Sequence, residues 1–157
     1  MINTKLSIIL LILFFGVLPL RGQNVVRDSL IDESMKEFFS NHEDIMTLYG
    51  DCMIDKNTFP YDYDLSKWTS EYNIRIVYLN NNKILKRYKK TKKGIPTICF
   101  NWKMNQDGSV SIYIALYHVM IKRNKIHYAF VEVCVYCYKY SNSKMQWERI
   151  TNRCDGV

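Results

Sequence analysis

The sequence predicts an α+β fold, with an N-terminal helical segment packed on a curved antiparallel meander sheet of about six strands. Three observations lead there. Apolar residues recur in steps of three and four over residues 27–49. From Asn73 onward, runs rich in Ile, Val, Tyr and Phe alternate with turn clusters. No internal repeat or linker splits the chain, and 157 residues with 48% hydrophobic and 14% aromatic content suit one packed core rather than disorder.

The N-terminus reads as an export leader. Lys5 supplies the positive charge, Leu6 to Leu18 form an uncharged apolar run, and Pro19 ends it. Thirteen residues of helix span about 20 Å, short of a bilayer core of about 30 Å. A cleaved signal peptide over residues 1–22 is therefore expected, with a single α+β domain over 23–157 and no permanent membrane span. Arg21 is an awkward neighbour for a cut after Gly22. Loss of residues 1–22 removes two cations and no acid, and lowers the formal charge from +7 to +5.

In the helical stretch, Ile31, Met35, Phe38, His42, Ile45 and Tyr49 fall on one face, and the acids lie mainly elsewhere. Ser40 to Glu43 has capping-box spacing, so a break is expected there, and Gly50 is a plausible stop. Residues 51–66 read as loop, and "DLSKWTSEY" holds one short helical turn. Strands are expected near 74–79, 83–89, 95–104, 109–122, 126–140 and 145–151, separated by polar turns such as "NNN", "NQDG" and "SNSK". Connections this short demand antiparallel neighbours.

The outline resembles the cystatin-like and NTF2-like α+β rolls. That resemblance implies fold alone, because such folds host unrelated functions. The cystatin Gln-x-Val-x-Gly loop is absent, so inhibitory activity does not carry over.

Hairpin parity predicts the sheet faces. With even-numbered loops, Ile98, Phe100, Trp102 and Met104 share a face with Tyr113, Ala115, Tyr117, Tyr128, Phe130, Glu132, Cys134 and Tyr136. The opposite face carries Thr97, Cys99, Asn101, Ile112, Ile114, Leu116, His118, His127, Val131, Val133 and Val135. The aromatic face should receive the helix through Phe38. Cys134 and Cys137, three apart in a β-prone run, then point to opposite sides and form no Cys-x-x-Cys site. Five cysteines in an exported chain leave at least one free, and Cys52 with Cys154 is the least implausible pair because both sit in loop-like segments.

Glu132 stands out as an acid among aromatic residues. It is either a weak catalytic candidate or a structural carboxylate satisfied by a hydroxyl or basic partner. His42, His118 and His127 show no complete metal-ligand pattern, and Asp51, Asp55, Asp62 and Asp64 miss the spacing of a calcium loop. Residues 83–93 hold seven cations around Tyr88. Lys86, Arg87, Lys89, Lys90, Lys92 and Lys93 are the candidate anion-binding set, or else a solvated hairpin that protects a sheet edge. Phosphate-cradling glycine motifs, His-Glu-x-x-His and Gly-x-Ser-x-Gly are all missing.

These features point to a small secreted or periplasmic protein, basic in charge, that acts as a non-enzymatic binding or interaction module without cofactor or metal. Its expected partner is a protein or an anionic envelope component, and export makes nucleic acid an unnatural one. Two alternatives stand beside this reading. One is a pocket enzyme centred on Glu132 with Tyr113, Tyr117, Tyr128 and Tyr136. The other is an envelope or polyanion binder acting through the basic hairpin.

Overall fold

A computed structural model describes residues 26–43, 52–72, 74–79, 94–122 and 125–156. The leader over 1–22, the positions of Ile45, Tyr49 and Gly50, the strand expected at 83–89 and the whole basic set from Lys86 to Lys93 lie outside those residues. Among the described residues no helix is long and apolar enough to cross a membrane.

Backbone contacts divide the chain after Glu33, into Met1–Glu33 and Ser34–Val157. Helix α1 covers residues 26–41 and so contributes to both units. In the first unit Leu30 and Ile31 are buried, and Arg27 pairs with Asp28 at 2.9 Å. The second unit begins with Ser34, Met35, Phe38, Phe39 and His42, all buried, which is the stripe the three- and four-residue spacing requires.

The second unit holds a six-stranded, mostly antiparallel sheet with helix N-terminal to it, an α+β architecture. Its strands are β1 (Met53–Asp55), β2 (Arg75–Val77), β3 (Ile95–Met104), β4 (Val110–Lys122), β5 (Lys125–Ser141) and β6 (Gln146–Gly156), in the order β2-β1-β3-β4-β5-β6. The antiparallel meander holds for β3 to β6. It fails at the other edge, where β1 lies between β2 and β3 and runs parallel to both. The sequence reading missed β1 because three residues in an acid-flanked segment leave almost no periodic signal. All three are buried, as expected for an interior parallel strand covered on both faces.

The crossover from β1 to β2 contains a 3-10 turn (Lys56–Thr58) and helix α2 (Ser66–Tyr72). Asp55 starts the turn by accepting from the Asn57 backbone at 3.1 Å, and Thr58 Oγ1 accepts the Phe100 N–H at 2.9 Å, which ties the crossover to β3. Phe59 stacks on Phe100 at 4.7 Å. In α2, Trp68 is buried and its indole N–H donates to the Tyr63 hydroxyl at 3.0 Å. Phe39 of α1 packs on Trp68 and Tyr72, at 5.4 and 4.3 Å between ring centroids.

The predicted faces hold for Ile98, Phe100, Glu132, Cys134 and Tyr136 but not for β4. Met104 pairs with Val110, so the turn over 105–109 has five residues. An odd loop sets residues of equal parity opposite one another, and Ile112, Ile114 and Leu116 join the helix-facing side in place of Tyr113, Ala115 and Tyr117. At the next hairpin Lys122 faces Lys125, and opposite parity does hold there. The register then slips by one between Tyr117–Phe130 and Leu116–Glu132, leaving Val131 unpaired as a bulge. This sends Tyr128 and Phe130 to the far side and returns Glu132, Cys134, Tyr136 and Tyr138 to the side of α1. A smaller apolar cluster on the far side joins Met53, Val77, Leu79, Ile95 and Val119, with Tyr117, Ile121 and Ile126 against it.

Candidate functional site

Within the second unit, α1 runs antiparallel to β5. Ser34 Oγ meets the Tyr138 hydroxyl at 2.9 Å, and two turns later His42 Nε2 meets Glu132 Oε2 at 2.6 Å. Between them Glu37 accepts from Asn152 and pairs with Arg149 of β6. A helix whose Ser34, Glu37 and His42 each find a strand partner has little freedom to rotate.

The Glu132 row is otherwise apolar, with Ile54, Ile98 and Leu116 beside one another across three strands. Glu132 is half-buried at 23% side-chain exposure, and His42 is its ion-pair partner. The imidazole is held on both edges and one face. Its Nδ1 donates to the Phe38 carbonyl at 2.6 Å, and the Phe38 ring stacks on it at 4.2 Å. A carbonyl only accepts, so Nδ1 carries a proton and a single further proton lies between Nε2 and the carboxylate. Imidazolium with carboxylate, and imidazole with carboxylic acid, are both neutral overall, which lowers the cost of placing the pair against apolar neighbours.

Next to the pair lies a disulfide between Cys134 and Cys154. The ligand atoms of His42, Glu132 and Cys134 all fall within 4.8 Å of one another. Cys134 is buried, whereas Cys154 is exposed on the edge strand. Cys134 and Cys137 behave as the strand reading requires. Cys137 is a free thiol on the other side of β5, with its sulfur 3.4 Å from Ser111 Oγ.

The expected pairing of Cys52 with Cys154 is corrected, because Cys52 is a buried free thiol. Cys154 lies in a strand and not in a loop, because β6 extends to Gly156. Counting residues back from the hairpin at Ser141–Gln146 would place Arg153 opposite Cys134. A second bulge, at Ile150, shifts the register by one and brings Cys154 there.

Of the residues grouped with Glu132 in the enzyme alternative, only Tyr136 shares its face. Tyr113, Tyr117 and Tyr128 lie on the other side of the sheet, where Tyr117 meets Tyr128 and Phe130 edge to face at 5.7 and 5.8 Å. The Tyr136 hydroxyl is buried and has no hydrogen-bond partner among the described residues. Burial, then the neighbouring Tyr138 and Glu132, push its phenol well above the usual range. His118 and His127 share a face but are offset by two register positions, with Ala129 opposite the first and Met120 opposite the second. Asp55 is spent on the turn after β1, accepting from both nitrogens of Asn57. Asp64 accepts the Ser66 N–H at the start of α2, which holds its carboxyl below the usual range.

Sequence reasoning singled out Glu132 and put His42 on the buried helix face, but it did not join them. The one usable signal was that a histidine on an apolar stripe and an acid on an aromatic strand each need a polar partner. In comparison with known proteins, the chain matches no family model, no curated protein and no solved structure.

Proposed function

We propose that this chain is a secreted or periplasmic, non-enzymatic binding module that takes an extended segment of a partner protein as an added strand along β6. The observation that carries this reading is the outer side of β6, an 11-residue edge strand with no neighbour on that side among the described residues. The Cα atoms of Cys134 and Cys154 are 4.0 Å apart, the close spacing of a non-hydrogen-bonded antiparallel pair. The backbone N–H and C=O of Cys154 therefore point away from β5, and by the two-residue alternation so do those of Asn152. They form a ladder ready to pair with another strand. Glu148, Arg149, Arg153 and Asp155 present both signs of charge beside it and would select among partners.

Export is supported by the apolar leader behind Lys5. It is supported too by the Cys134–Cys154 bond, since disulfides persist in oxidising compartments.

A proline at an outward-facing position blocks strand addition while leaving the β5–β6 hydrogen bonds intact. Envelope and extracellular proteins retained on immobilised chain should be lost with Asn152→Pro and kept with Asn152→Ala, which removes only the Glu37 contact. Equal retention by the proline variant would overturn the proposal.

A further inference from the structure

We propose that His42, Glu132, Cys134 and Cys154 form a redox-gated zinc site, closed while the two cysteines are bonded to each other and competent once they are reduced. The proposal is independent of strand addition at β6. It rests on four donors of complementary chemistry brought together from the turn that ends α1, from β5 and from β6.

Three of the donor atoms already lie within 4.8 Å of one another. The fourth, Cys154 Sγ, is bonded to one of them. Two sulfurs, an imidazole nitrogen and a carboxylate oxygen make a four-coordinate set that suits a borderline divalent ion such as zinc and is poor for calcium or magnesium. The imidazole is oriented as metal-bound histidines commonly are. Nδ1 is anchored to a backbone carbonyl, here Phe38 at 2.6 Å, and Nε2 is turned toward the site. Nε2 and Oε2 stand 2.6 Å apart. Tetrahedral bonds of about 2.0 Å need roughly 3.3 Å between such donors, so each side chain must give way by only a few tenths of an ångström.

The disulfide is the gate, because thiolate, not disulfide sulfur, binds metal. Opening it takes two electrons and two protons, which a dithiol reductant supplies. A dithiol sulfur attacks Cys154 Sγ, the exposed end, and the Cys134–Cys154 bond breaks with Cys134 leaving as thiolate and taking a proton. The second dithiol sulfur displaces Cys154 as thiolate, which is protonated in turn, and the reductant ends as its own disulfide. Zinc then binds both sulfurs as thiolates and takes the place of the proton shared by His42 Nε2 and Glu132 Oε2, so three protons are released to solvent. Cys134 is buried, and its sulfur lies within 4.8 Å of the His42 and Glu132 ligand atoms.

The test uses the full chain, oxidised or reduced with a phosphine, which opens the disulfide without offering thiols to the metal. Zinc per chain is measured after desalting, and cobalt(II) serves as a spectroscopic stand-in. The oxidised chain should retain no zinc and the reduced chain one ion, expelled again on reoxidation. Cys134→Ser and Cys154→Ser should each abolish retention, and Glu132→Gln should weaken zinc binding about tenfold or more. Joint replacement of Cys52, Cys99 and Cys137 by Ser should leave binding unchanged. Cobalt in the reduced wild type should give tetrahedral bands with thiolate charge transfer, a readout that needs no variant to fold. The proposal fails if the oxidised chain binds equally, if Cys134→Ser still binds, or if cobalt shows no thiolate ligation. It fails as well if the reduced chain loses its sheet and zinc does not restore it.

Discussion

Removing the His42 imidazole leaves Glu132 opposite Leu116 and next to Cys134 without its ion-pair partner. His42→Ala should therefore destabilise by about 2 kcal/mol. Glu132→Gln, which still offers a donor to Nε2, should cost less than about 1 kcal/mol. Urea midpoints of the two variants check the order. Two buried tyrosines on the same face of β5 should respond with opposite signs. Tyr136→Phe removes a hydroxyl with no partner among the described residues and should stabilise by about 1 kcal/mol, while Tyr138→Phe breaks the bond to Ser34 and should destabilise by about the same amount. Cys99 offers a pH test. Burial, and secondarily the charge of Asp55, push its thiol up to about 12. At pH 8 only about one thiol in ten thousand is then ionised, so alkylation should be slow and rise about tenfold per pH unit from 7 to 9, as read by mass mapping. A pH-independent rate would contradict that burial. The need of His42 and Glu132 for partners was legible in the sequence from their apolar surroundings. Their pairing was not, because they are 90 residues apart and meet only through the position of α1 on β5.

At the scale of elements, long periodic segments were readable and irregularities were not. Strands β3, β4 and β5 begin and end within a residue or so of their expected limits, since alternation over 10 residues or more is a strong local signal. The five-residue turn over 105–109 escaped notice. Its Asp107 accepts from Ser109 and its Gly108 has φ +78, so "NQDG" signals a turn without giving its length. Each one-residue irregularity exchanges the faces of everything beyond it. Ile150 shows how much depends on one position. It is 56% exposed and belongs to no core, yet its bulge aligns Cys154 with Cys134. Inserting one further residue after it should bring Arg153 opposite Cys134 and prevent the disulfide. Thiol titration of the denatured, non-reduced chain should then rise from the three free cysteines of the wild type to all five. A count that stays at three would show that the bulge does not set the pairing.

For the molecule as a whole, the disulfide fastens the outer edge of the sheet across a sequence separation of 20 residues. Replacing both cysteines by Ala should lower stability by about 3 kcal/mol, mostly by freeing the unfolded chain, with chemical denaturation as the measure. A loss below about 1 kcal/mol would mean that β6 is held chiefly by its ladder and by Glu37. The sequence alone determined the helical stripe of Met35, Phe38 and His42, the meander of β3 to β6 and the strand character of the segment around Cys134 and Cys137, because side-chain period is a local property of the chain. Only the tertiary structure decided that β1 enters between β2 and β3, that Tyr113 and Tyr117 face away from α1, and that His42, Glu132, Cys134 and Cys154 converge. Those outcomes depend on loop parity, on two bulges and on which face α1 covers. They are set when distant segments compete to bury apolar surface and satisfy buried polar groups together, and no local period encodes that competition.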